Sequence, residues 1–142
     1  MERLNKRFQV FMKETGFPLK IIEEEVAFKY RGRLSLSPNE LTDFSILLPK
    51  SLGTEVVQIV FEKIGVIDQQ HSREEWLHFI NRMNCELGIH YYFCLREDGI
   101  IFARYVFPVQ PSNVSIIYDL IRVGSGIIRQ FITQMETTFP KQ

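Results

Sequence analysis

The stretch from Ser72 to Pro108, SREEWLHFINRMNCELGIHYYFCLREDGIIFARYVFP, constrains the fold more than any other part of the chain. Ser72 and Glu75 stand at the spacing of a capping box, in which hydroxyl and carboxylate satisfy the orphan N–H groups of a first helical turn. Glu74 and Glu75 also sit where the positive end of the helix dipole favours acids. Trp76, Phe79, Ile80, Met83 and Leu87 follow at helical spacing and make one apolar stripe. Gly88 is a natural stop, because it can take the left-handed conformation that a helix C-terminus uses. Asn81 and Asn84, three apart, share a neighbouring face. The next run alternates, with Ile89, Tyr91, Phe93 and Leu95 on one side of a strand and His90, Tyr92, Cys94 and Arg96 on the other. Glu97-Asp98-Gly99 is a turn, since Asp-Gly tolerates the positive φ of a tight hairpin. The chain returns as Ile100 to Phe107, and Pro108 ends that strand for want of a donor. Loops of two and of three residues pair different side chains across the hairpin, and the register stays open.

Before this stretch the chain reads as a helix and then a series of strands. Met1 to Thr15 is amphipathic, with Met1, Leu4, Phe8 and Phe11 along one face and Met12 beside them; Gly16 stops it and Pro18 prevents its resumption. From Leu19 to Ile67 the signal is β. Val26, Phe28 and Tyr30 alternate with Ala27, Lys29 and Arg31 until Gly32 breaks the run; Leu34 and Leu36 then suggest a short continuation. Phe44, Ile46 and Leu48 alternate before Pro49, between turns at Ser37-Pro-Asn-Glu and Ser51-Leu-Gly-Thr. Glu23-Glu24-Glu25 reads as a solvated bend or edge. Residues 55–64, EVVQIVFEKI, fit a helix face as well as a strand, and the β-branched content favours the strand.

After it, one element runs from about Ser112 to Thr138, with Ser112 or Asn113 as its cap. Val114, Ile117, Ile121, Gly124, Ile128, Phe131 and Met135 recur at three-four spacing, and Ile116, Leu120, Val123 and Ile127 lie alongside. That combined face is wider than one sheet surface needs. Either the whole face is core, or part of it (Ile117, Ile121, Gly124, Ile128 and Phe131) forms an interface with a second copy. Gly124 and Gly126 each weaken a helix by ~1 kcal/mol relative to alanine. They mark either a close approach of another backbone or a break between two helices. The expected fold is therefore α+β: one domain over residues 1–142, in two layers, with a mostly antiparallel sheet and the order α-β-β-β(-β)-α-β-β-α.

Composition narrows the function classes. Lys plus Arg equals Asp plus Glu at 17 each, so the net charge is zero and the basic surplus of a nucleic-acid binder is missing. No apolar run approaches the ~20 residues that span a bilayer, and the amphipathic N-terminus has no apolar core of a signal peptide. The expectation is a cytoplasmic protein without membrane or nucleic-acid partners, its two cysteines, Cys85 and Cys94, reduced. Neither HxxxH nor CxxC occurs among the histidines (His71, His78, His90) and cysteines, so no metal site and no cofactor are expected. Gly124-Ser125-Gly126 lacks the outer glycines of a nucleophile elbow and the Gly-Lys of a phosphate loop. The polar feature left over is the pair Asn81 and Asn84, next to Tyr91 and Tyr92. These four are the candidate ligand contacts, for a pocket between sheet and helices.

The segment Phe79-Ile-Asn-Arg-Met-Asn84, followed by a strand, an Asp-Gly turn and a returning strand, resembles the YbjN-like family of small bacterial proteins. Phe44-Ser-Ile-Leu-Leu-Pro49 and Val56 to Phe61 fit the same pattern, and the likeness extends over residues 20–138. The resemblance implies a fold similar to type III secretion chaperones, commonly dimeric, with no catalytic residues to carry over. Unlike secretion chaperones, this chain has no acidic bias. Two functions follow as expectations. The first is a non-enzymatic protein-binding module, chaperone-like or regulatory, acting as a homodimer with an unknown protein partner. The alternative is a small-molecule binder or weak enzyme.

Overall fold

Amphipathic helices and alternating strands need a shared interior, and here one antiparallel sheet provides its floor. A computed structural model of the chain describes residues 2–37, 40–50 and 56–140. The elements are helix α1 (Glu2–Thr15), strands β1 (Lys20–Glu23), β2 (Ala27–Ser37), β3 (Glu40–Pro49) and β4 (Val56–Val66), helix α2 (Arg73–Leu87), strands β5 (Tyr92–Leu95) and β6 (Ile100–Pro108), a 3-10 turn (Pro111–Asn113) and helix α3 (Ser115–Thr138). This is the expected α+β order with the fourth strand present. Every strand pair is antiparallel, in the spatial order β1-β2-β3-β4-β6-β5.

All three helices pack on one face of that sheet. Phe8 of α1 meets Tyr30 of β2 edge-on at 4.9 Å, and the Tyr30 hydroxyl donates to the buried Asn5 of the same helix. Phe79 of α2 and Phe93 of β5 both contact Phe131 of α3, at 5.4 and 4.7 Å. Tyr30, Phe44, Ile46, Leu48, Val57, Ile59, Phe61, Ile101 and Ala103 alternate along the four long strands and are buried beneath the helices. Their odd-and-even partners point the other way, where no described helix lies.

Some local expectations hold and others need correction. Residues from Val56 form a strand, because Val57, Ile59 and Phe61 bury one side while Val56, Gln58 and Val60 do not; Glu55 lies outside the described residues, as do Met1, Pro38-Asn39 and the turn expected at Ser51 to Thr54. β2 runs straight through Gly32. That glycine is needed because a Cβ there would lie 2.5 Å from the side chains of both Leu19 and Phe44. Gly88 ends α2 without turning left-handed (φ −81°); a Cβ would sit 2.4 Å from the Asn84 carbonyl oxygen, so steric room explains it instead. Ser72 caps α2 as expected, its hydroxyl accepting from the Glu75 N–H at 3.1 Å. The hairpin loop has three residues: Arg96 and Ile100 still bond across it at 2.9 Å, and Gly99 takes φ +89°. β5 starts at Tyr92, three residues later than the alternation suggests, and Ile89 is 83% exposed.

Helix α3 is unbroken, and its two glycines differ. A Cβ at Gly124 would lie 2.7 Å from the Phe61 ring and 2.8 Å from the Tyr91 ring, whereas one at Gly126 would meet nothing within 4 Å. Gly124 lets the helix axis settle onto the sheet; Gly126 has no such reason inside this chain. Accordingly Gly124→Val should destabilise the fold by about 2 kcal/mol through overpacking. Gly126→Ala should stabilise the isolated chain by up to about 1 kcal/mol through helix propensity. Urea unfolding of the two variants checks the contrast.

Candidate functional site

The four candidate ligand contacts do not converge on one pocket. The Asn84 carboxamide acts as a surrogate strand: its Nδ2 donates to the Phe93 carbonyl at 3.0 Å, and its Oδ1 accepts from the Phe93 N–H at 2.7 Å. β5 is an edge strand, and this bracket satisfies the outward-facing backbone groups that an edge leaves open. Tyr91 is buried, with its hydroxyl donating to the Leu120 carbonyl of α3 at 2.8 Å. Burial pushes its phenol well above the usual range, and the nearby Tyr105 adds to the shift. Asn81 is exposed on the outer side of α2. Tyr92 projects from the opposite side of β5, where the Arg104 guanidinium lies 5.2 Å from its ring centre and donates to its hydroxyl. Asn84 and Tyr91 are thus structural, and Tyr92 belongs to the far face of the sheet.

The proposed interface residues are corrected in the same way. Ile117, Ile121, Gly124, Ile128 and Phe131 all lie inside the chain's own core. They form the row of α3 that faces the sheet, so their spacing reports internal packing. The outer row is what remains accessible: Ile116 is 38% and Val123 44% exposed, with the open Gly126 beside them.

The second face of the sheet has no described helix over it. Cross-strand pairing sets two rows across it. One runs Lys29, Leu47, Gln58, Val106; the next runs Arg31, Ser45, Val60, Arg104, Tyr92. Glu62 is the electrostatic centre of this face. It holds Arg31 at 3.1 Å and Lys29 at 3.7 Å and accepts from the hydroxyl of the buried Ser45 at 2.5 Å. Arg33 pairs with Asp43 at 2.8 Å, which raises its already high pKa. Cys94 also lies on this face. Partial burial raises its thiol pKa and outweighs the opposing pull of Arg104, which favours the unreactive protonated form at neutral pH.

A cluster that the sequence did not single out lies in the linker before α2. The Asp68 carboxylate accepts from the His71 N–H at 3.0 Å and from the Trp76 indole at 3.2 Å, and its second oxygen lies 3.0 Å from the His71 ring. Desolvation works to raise the Asp68 carboxyl, but these hydrogen bonds prevail and hold it below the usual range. Phe139 stacks on Trp76 at 3.8 Å and touches the His71 ring at 4.8 Å, so the cluster anchors the end of the chain's last helix. Asp68-x-x-His71 resembles an ordinary polar linker in the sequence; only the distant Phe139 gives it a role. Among the described residues no group of three or more His, Cys, Asp or Glu is placed to hold a metal ion.

The architecture superposes on the crystal structure of YbjN from E. coli, described as a candidate transcription regulator. The TM-score is 0.57, the identity 9%, and the match covers 94% of this chain and 91% of that one. The chain has a YbjN-like fold. A crystal structure of an uncharacterised protein from Methanothermobacter thermautotrophicus matches with a TM-score of 0.56 at 15% identity, over 92% of this chain and 98% of that one. No protein-family model and no curated protein matches the sequence. Among the described residues of this YbjN-like chain, no helix is long and apolar enough to cross a membrane.

Two outcomes follow from the geometry. Asn84→Ala leaves the outward N–H and C=O of Phe93 unpaired, which should lower stability by about 1–3 kcal/mol and speed hydrogen exchange at the Phe93 amide. Asp68 has a depressed carboxyl pKa in the folded chain, so its contribution is complete above its unfolded value of ~3.9 and is lost as pH falls through the lower folded one. Trp76 fluorescence followed during acid titration should show that loss, and Asp68→Ala should remove it.

Proposed function

We propose that the chain is a non-enzymatic protein-binding module, chaperone-like or regulatory, that works in the cytoplasm as a homodimer. The observation carrying this reading is the uncovered face of the sheet. With all three helices on the other side, Leu47, Val60 and Phe102 stay half-buried there and Val106 stays exposed. The six strands have 49 residues between them (4, 11, 10, 11, 4 and 9), and at ~4.8 Å spacing and ~3.3 Å rise each they give a face on the order of 800 Å². Each partner in a stable complex contributes ~800 Å², so the size fits a protein. The polar groups nearest the expected small-molecule pocket, Asn84 and Tyr91, are already committed to holding β5 and α3, which favours binding over chemistry.

Self-association fits the opposite side of the molecule. Gly126 weakens α3 by ~1 kcal/mol relative to alanine and fills no need within the chain, while Val123 beside it is 44% exposed. A second copy's backbone can approach there closely.

Sedimentation at micromolar concentration should show a dimer, and Val123→Glu should yield a folded monomer whose thermal midpoint is lower and no longer depends on protein concentration; a wild-type monomer throughout removes the homodimer. Val106→Asp should lose the proteins that the wild-type chain captures from host extract. Unchanged capture would remove the sheet face from the binding role.

A further inference from the structure

The uncovered face carries a charge that the chain as a whole does not. Strand alternation places Lys20 of β1, Lys29, Arg31 and Arg33 of β2, and Arg104 of β6 on it, against Asp43 of β3 and Glu62 of β4. Among the described strand residues that is five positive groups to two negative, a surplus of three on a chain of net charge zero, with Glu24, Glu25 and Lys50 bordering one end of the face beside Leu47 and Gln58. Asp43 neutralises Arg33, and the single Glu62 is shared by Lys29 and Arg31. Arg104 rests on the neutral Tyr92, and Lys20 has no carboxylate within ion-pair distance among the described residues. Three cations therefore lack a carboxylate of their own.

Those cations bracket an apolar strip. Lys29 and Arg31 lie three strand spacings from Arg104, ~14 Å across the sheet; Leu47 and Val60 stand in the interval beside Gln58 and Ser45, and Val106 adjoins Arg104 on β6. Resting on the reading of this chain as a protein-binding module, we infer that the face docks an acidic protein segment whose carboxylates alternate with apolar side chains. The carboxylates meet the cations at either side, and the apolar groups cover the strip. Complementary charge of this kind selects the partner and speeds encounter more than it adds affinity. A second copy docked face to face would oppose three surplus positive charges with three more. Nucleic acid fits less well, because the row Lys29, Arg31 and Arg33 is already engaged by Glu62 and Asp43, which would confront phosphates.

The test uses the full chain and a short fluorescent peptide alternating glutamate with leucine, beside its glutamine–leucine counterpart and a duplex oligonucleotide. The glutamate peptide should bind more tightly than the glutamine one and weaken as salt rises. Lys20→Glu with Arg104→Glu should weaken it about tenfold. Should that variant melt early, Lys20→Gln with Arg104→Gln should show a smaller loss in the same direction. Equal binding of the glutamine peptide, lost on Val106→Asp, overturns the acidic class while leaving protein binding in place. Tighter binding of the oligonucleotide, or no binding of the glutamate peptide, overturns the inference; the protein-binding reading itself is decided by the extract capture described above.

Discussion

The contact between α3 and the middle of the sheet is the one on which the other packing depends. It requires that position 124 carry no side chain, because the rings of Phe61 and Tyr91 occupy the space a Cβ would need. Around that point Ile117, Ile121, Ile128 and Phe131 are buried, each contributing about 1.5–3 kcal/mol relative to exposure. The Tyr91 hydroxyl bonds to the Leu120 carbonyl, which pins helix and strand together at the same level. Helix α2 is held directly by the Asn84 bracket on β5 and also through α3, by Phe79 against Phe131 and by Trp76 stacked on Phe139. The layer of helices is thus keyed to one narrow approach.

Because that layer covers a single face, the rest of the sheet is left to solvent and its edges need protection. β1 and β5, the two edge strands, are four residues long, and short edges offer little to an adding strand. At Phe93 the Asn84 carboxamide already occupies the edge of β5. What remains for contact is the broad face rather than an edge. Its exposed ion pairs, Arg33–Asp43 above all, contribute only ~0–1 kcal/mol to stability. Their arrangement matters more for which partner is accepted.

How much of this could be read from the residues depended on how local the deciding contacts are. The stripe of α2 and its Ser72 cap are legible because a helix closes its own hydrogen bonds within a turn. The start of β5 is not, since Ile89 continues the alternation but has no strand beside it; the ladder with β6 ends at Tyr92 and Arg104. Gly88 follows the usual rule for a helix stop in position but not in cause. The breadth of the α3 stripe correctly announces more than one neighbour, yet residue spacing cannot distinguish a sheet within the chain from a second chain. Asn84 stood out in the sequence as a polar residue left over on α2, but its partner, nine residues on, required the fold. The charge of the uncovered face was hidden for the same reason: Lys29, Arg31 and Arg33 alternate in plain view on β2, while Arg104 joins them only because β6 lies beside β4.

The central claim is that helices cover one side of the sheet and leave the other free. Paramagnetic relaxation by a soluble gadolinium probe, measured at the side-chain methyls of the isolated chain, tests it most directly. Val60 and Leu47 should broaden strongly while their neighbours Ile59 and Ile46 remain sharp. Equal protection of all four would mean that both faces are covered, and the account would fail.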